Sequence, residues 1–386
     1  MRYWLIGFSI AATILSGEGG LAQTDPSVKP PVSEQAIADY QRKLKDYEDA
    51  RASFEAVAAL YWNDVELRRK VRAAKRRELQ AITLTDYVLE QPPQYTGPSR
   101  PIDPSSPETP PPEREPVPVV ADFLRSAKEA YDFTPERPDQ EIDFKRAYVL
   151  AAKAAGLAQD QVVRIYSFEA GGNGTYDVQA GIDPTKPETR ALSTALGYNQ
   201  LLAANTIGLL AAHGDRLIKA MQGKANAADG ERKKRLAGKI DILKRMVTVT
   251  RTVPQSWGEH VKLARTPQGL GVQALNLDID IGPLLQIHKL ADSVRFARAK
   301  GITRPLTAAE LEMMNLTGDG NGFDMIAMPQ EMRPQVPTSN FFQRRGYERN
   351  LIAVRNNTVE TLLAATNAVM DRESALPGAR EMASLF

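Results

Sequence analysis

The sequence predicts a mainly α-helical protein: a helical arm, a proline-rich spacer, and a larger helical domain with one small loop or hairpin region. Three observations predict it. Apolar residues recur at helical spacing through most of the chain, and glycines close several of those runs. Strand-like alternation is confined to short pieces such as Thr175-Tyr176-Asp177-Val178-Gln179. Twenty-six prolines are spread unevenly, and the densest run falls between two helical regions.

The 386 residues suffice for one large domain or two ordinary ones. A net charge of +2 predicts no nucleic-acid partner. The absence of cysteine leaves neither disulfides nor thiolate metal sites. His213, His260 and His288 lie far apart in sequence and fit no metal-ligand spacing, so neither a metal nor a cofactor is expected.

Residues 1–22 read as a secretory signal. Arg2 supplies the positive charge, Tyr3 to Leu15 the apolar run, and Gly20-Leu21-Ala22 the small residues of a cleavage site. The mature chain is then expected to start near Gln23 and to be exported, into the periplasm if the source is Gram-negative. No cysteine follows the cleavage site, so a lipoprotein is not expected.

The arm is expected over residues 33–90. Ser33 can cap its first helix, with Glu34 in the first turn. Tyr40, Tyr47, Phe54 and Tyr61 recur every seven residues; Leu44, Ala58 and Val65 fall four later, with Arg51 the exception. Such a stripe suits a coiled coil or a helical hairpin, and Asn63-Asp64 could cap a second helix running to about Thr85. The basic cluster from Arg68 to Arg77 reads as a solvated face. Residues 91–119 are too rich in proline to build a core and favour a stiff, extended spacer.

The domain is expected over residues 120–386. Asp143–Ala155 is amphipathic and stops at Gly156. Asn173 to Thr194, with glycines and two prolines, suits a loop or small hairpin. Helices are expected from Asn199 to His213, ending at Gly214; from Glu231 to Val249, with a solvated basic face; and from Leu284 to Lys300. Thr307-Ala308-Ala309-Glu310 is a capping box, and Asn350 to Asp371 reads as one long helix. Thr317 to Asp324 echoes a calcium loop. Its first ligand position is Thr317 and its twelfth is Met328, so a glycine-rich turn is the better reading.

Within the domain, Gln161 to Glu169 is helical and mostly apolar on one side, and Gly171-Gly172 supplies a left-handed stop. Glu169 therefore sits in the last turn of an apolar helix. Both the helix C-terminus and desolvation among Phe168, Tyr166 and Tyr198 disfavour its ionisation. A carboxyl kept protonated near neutral pH can serve a glycosidase as general acid.

The order of motifs resembles the lysozyme-like superfamily, in particular soluble lytic transglycosylases. The residues carrying the resemblance are Glu169-Ala170-Gly171-Gly172-Asn173, then Ser193, then Gly197-Tyr198-Asn199-Gln200, with a weaker match at Tyr347 and Asn350. Ala170 stands where the family has Ser, and Tyr198-Asn199 where it has Leu-Met. The resemblance implies a lysozyme-like helical domain. It further implies cleavage of the β-1,4 bond between N-acetylmuramic acid and N-acetylglucosamine in peptidoglycan, with Glu169 as the catalytic acid and base. Tyr198 and Gln200 would line sugar subsites, Ser193 would bond Glu169, and Tyr347 and Asn350 would face the substrate. Hydrolysis by a muramidase would need a second carboxylate, for which Asp177 and Asp183 are the candidates. The alternative is a non-catalytic scaffold that holds wall glycan, its arm meeting a protein partner or a second copy.

Overall fold

The computed structural model describes residues 32–106, 116–183, 185–186 and 188–386. The expected signal segment and residues 107–115 of the expected spacer lie outside them. Helices make up most of the described chain; among the described residues there are no strands, only isolated antiparallel bridges. No helix among the described residues is long and apolar enough to cross a membrane.

Helix α1 spans Glu34–Arg77 without a break. The Ser33 hydroxyl accepts from the Ala36 amide at its start. Asn63 and Asp64 lie inside the helix and start nothing new. The arm is thus one long helix, not a hairpin.

The chain separates into two compact units. One holds the described residues through Ala52, with those from Thr96 to 106; the other holds Ser53–Tyr95 and the described residues from 116 to Phe386. The division therefore falls inside α1 and not at the proline run. In the first unit, Pro98, Pro101 and Pro104 line a cleft with Ala36, Asp39, Tyr40 and Lys43 of α1.

In the second unit, the heptad stripe packs against later parts of the same chain. Ala58 and Val65 are buried, the Phe54 ring meets Tyr95 edge-on, and Trp62 meets Tyr347 at 5.7 Å. The same periodic position next falls on Arg72, which is fully buried. Its guanidinium donates to the Asp86 and Asn340 carbonyls at 2.9 Å each, pairs with Asp324 at 3.4 Å, and lies 4.5 Å from the centre of the Tyr87 ring. Arg68 reaches the Thr85 and Tyr87 carbonyls, and Arg69 the Phe342 carbonyl. The expected solvated face is thus partly an inward one, with Lys70 and Arg77 left exposed. Loops with spare carbonyls pack on it, and guanidinium forks satisfy them.

The domain then runs α2 (Val120–Tyr131), α3 (Glu141–Ala154), α4 (Gln159–Ala170), α5 (Ala203–Asn226), α6 (Gly230–Thr250), α7 (Trp257–Leu263) and α8 (Pro267–Gln273). It continues with α9 (Gly282–Ala299), α10 (Ala308–Thr317), α11 (Asp319–Ile326), α12 (Arg344–Arg349), α13 (Leu351–Arg355), α14 (Val359–Ser374) and α15 (Pro377–Ser384). Helix α5 runs through Gly214 instead of ending there. A Cβ at Gly214 would meet Val247 at 2.4 Å, so this glycine lets α5 and α6 approach. The basic face of α6 is partly internal: Lys239 pairs with Asp278, Asp280 and Glu136, and Arg245 donates to the Tyr131 carbonyl. The stretch expected as one C-terminal helix breaks at Asn356. The Asn357 carbonyl accepts from the Thr338 amide there, and Thr358 caps α14.

The glycine-rich run after Thr317 is neither a calcium loop nor a turn but the start of α11. Its Asp319 is taken by Lys289 and Ser293, and its Asp324 by Arg72 and Arg76. Gly322 lies where a Cβ would meet the Met314 backbone at 2.4 Å, which lets α10 and α11 pack backbone to backbone.

Candidate functional site

Helix α4 ends as its sequence requires. Gly171 adopts φ +64° as the left-handed cap, and Gly172 follows at φ +66°. Gly171 has open space around a would-be Cβ; at Gly172 one would meet the Glu373 carbonyl at 2.2 Å. The second glycine therefore also admits the C-terminal end of α14.

Glu169 is the penultimate residue of α4 and faces α10. Asn315 donates to its Oε1 at 2.7 Å, and Glu312 lies against it. Glu169 is half-buried, and Glu312 is fully buried. Burial raises the Glu169 carboxyl to about 7, opposed by hydrogen bonds from Glu312 and Asn315. Burial, and then the charge of Glu169, push Glu312 well above the usual carboxylate range. Neither Glu312 oxygen finds an ordinary donor. Two ionised carboxylates cannot bond each other, so a proton shared between them supplies the missing bond. The pair holds at least one proton through neutral pH.

This proton has a stability consequence. Above about pH 4.3 an unfolded Glu312 loses its proton while the folded one keeps it. The unfolded chain then binds fewer protons, so stability falls as pH rises towards neutrality. Glu312→Gln removes that penalty. It is expected to gain on the order of 1–3 kcal/mol at pH 7 and nothing at pH 4. Urea unfolding of both proteins at the two pH values measures the difference; equal gains at both would mean that the pair holds no proton.

Tyr148 of α3 joins the site to the loop that follows α4. Its ring lies close enough to Glu169 for that charge to raise the phenol further, after burial. The Tyr148 hydroxyl donates to Asn199 Oδ1 at 2.5 Å, and Asn199 Nδ2 donates to the Gln286 carbonyl of α9 at 2.9 Å. The Gly197–Gln200 run thus ties α3 to α9 behind the acid.

The other sequence candidates hold structure. Gln200, at φ +44°, donates to the Val178 and Gly197 carbonyls and locks its own turn. Tyr198 packs edge-on against Tyr166 at 4.8 Å and donates to Glu141, whose carboxyl is raised by burial. The Ser193 hydroxyl accepts from the Ala195 amide. Tyr347 is buried against Trp62 and Phe342, and Asn350 caps α13. The two expected second carboxylates are engaged elsewhere: Asp177 pairs with Arg137 and Thr175, and Asp183 caps a turn with Thr185 and Lys186. Glu312, Asn315 and Tyr148 were not singled out in the sequence. The available signal was Glu312 itself, a carboxylate in the apolar run Leu311-Glu312-Met313-Met314.

The histidine reading also changes. His260 is buried on α7, whereas α5 and α9 bring His213 beside His288 and Asp292. Those three side chains are the group among the described residues that could hold a metal ion.

No protein-family model, curated protein or solved structure matches this chain.

Proposed function

We propose that this protein cuts the glycan strands of peptidoglycan, at the β-1,4 bond between N-acetylmuramic acid and N-acetylglucosamine, with Glu169 as its acid and base. The observation that carries the reading is the carboxyl of Glu169. It stands at the end of an apolar helix and holds a pKa of about 7 by burial. Such a group can both donate and accept a proton at neutral pH. The motif order around it supports the same reading.

The contact between Glu169 and Glu312 bears on the mechanism. Paired glycosidase carboxylates stand about 5–5.5 Å apart in retaining enzymes and about 6.5–9.5 Å apart in inverting ones, with the sugar between them. Two carboxyls that touch cannot flank a sugar. Glu312 therefore tunes Glu169, and Asp177 and Asp183 are engaged elsewhere. That favours an intramolecular route. Glu169 gives its proton to the glycosidic oxygen as the bond to the anomeric carbon breaks. The muramoyl 6-hydroxyl oxygen bonds to that carbon, and its proton passes to Glu169. The product carries a 1,6-anhydro ring, and Glu169 ends protonated as it began. In this reading the chain is exported to the periplasm, and its arm meets a protein partner or a second copy.

A second reading, a scaffold that holds wall glycan without cutting it, is favoured by one observation. Gln200, Ser193, Tyr347 and Asn350 are engaged within the protein instead of converging on Glu169. Purified sacculi incubated with the mature protein distinguish the two. Soluble fragments with anhydro ends, identified by mass, are expected. Reducing ends would make the enzyme a hydrolase. Co-sedimentation with sacculi and no release would favour the scaffold.

A further inference from the structure

We propose that His213, His288 and Asp292 form a binding site for a divalent first-row transition cation of the zinc class. His288 and Asp292 stand one turn apart on α9, and His213 approaches from α5. Asp292 Oδ2 lies 2.9 Å from His213 Nε2 and 3.4 Å from His288 Nε2, and the two imidazole rings are 5.0 Å apart. Zinc bound at about 2.0–2.1 Å to each of three tetrahedral ligands places those ligands about 3.4 Å from one another. The two imidazole-to-carboxylate distances meet that within about half an ångström, and all three ligand atoms lie within 4.8 Å of one another.

The atoms are poised but unused. His288 Nε2 and Asp292 Oδ2 are shielded from solvent and have no hydrogen-bond partner. No hydrogen bond joins Oδ2 to His213 Nε2, 2.9 Å away. Burying two such atoms without a partner is costly, and an ion between them would remove the cost. The other carboxylate oxygen, Oδ1, accepts from Arg295, with Arg216 at 3.9 Å, which orients Asp292 and leaves Oδ2 for the ion. Both arginines are largely exposed, so solvent screens their charge. His213 is the most open of the three, and a fourth position on that side is available to water.

Two imidazoles and one carboxylate favour zinc, cobalt or nickel over magnesium or calcium. A bound ion would also join α5 to α9, the helix whose Gln286 holds Asn199 behind Glu169. The site does not depend on the glycan reading.

The test uses the full chain, stripped with a chelator and dialysed, then titrated with Zn²⁺ and separately with Co²⁺. The expected result is one Zn²⁺ per chain with a dissociation constant below about 1 μM, visible absorption of a four-coordinate Co²⁺ centre, and a metal-dependent rise in Tm. His288→Gln and Asp292→Asn are each expected to lose about 100-fold or more in affinity, while His260→Gln binds as the wild type does. No stoichiometric zinc binding by the wild-type chain would overturn the proposal, whatever the variants do. Equal affinity in wild type, His213→Gln and His288→Gln would also overturn it, by placing the ion elsewhere.

Discussion

Glu169→Gln is expected to cut the release of soluble fragments from sacculi by about 10²–10⁴-fold, while the folded protein persists. The amide can keep the local bonds: its oxygen still accepts from Asn315, and its nitrogen can donate to Glu312. What it cannot do is deliver a proton to the glycosidic oxygen. The loss should therefore fall on turnover, with sacculus binding unchanged. Wild-type activity should decline as pH rises past about 7, where Glu169 loses its proton. Glu312→Leu should move that decline to higher pH, because it removes a hydrogen bond that favours the ionised Glu169. Release by Glu169→Gln at the wild-type rate would remove Glu169 from the chemistry.

The position of that acid was legible because local rules set it. An apolar run closed by Gly171-Gly172 has to stop there, and Glu169 is in its last turn. Its partner was hidden by a different local rule. Thr307 and Glu310 announce a helix start, and Glu312 just beyond reads as part of the same acidic opening. Only packing shows that Glu312 points inward and Glu310 back to its cap. The order of motifs sets Gln200 and Tyr347 near the acid, but a sequence interval carries no side-chain direction. Gln200 turned to its own loop, and Tyr347 to Trp62. Gly214 shows the same limit. A helix stop and a close helix crossing both ask for glycine, and only α6 on the other side decides between them. The paired histidines depend on how α5 and α9 cross, which no spacing along the chain expresses.

Arg72→Ala is expected to lower the unfolding free energy by about 3–5 kcal/mol, the largest stability loss among the substitutions considered. The loss does not come chiefly from the ion pair. Asp324 keeps Arg76, so its charge stays matched when Arg72 is removed. The damage lies in the Asp86 and Asn340 carbonyls, which lose their donor in a fully buried place, and in the void left between the Tyr87 and Phe341 rings. Arg72→Met separates the two causes. It refills much of the volume and supplies no donor, so it should recover the packing part and leave the carbonyl part. Arg72→Lys keeps a charge yet cannot fork to two carbonyls and a carboxylate at once, so it too should fall short of wild type. Urea midpoints for the three variants give the partition. If Arg72→Met is as stable as wild type, buried carbonyls are not what holds this end of α1. The seven-residue stripe would then work by shape alone, with Arg72 as merely its longest side chain.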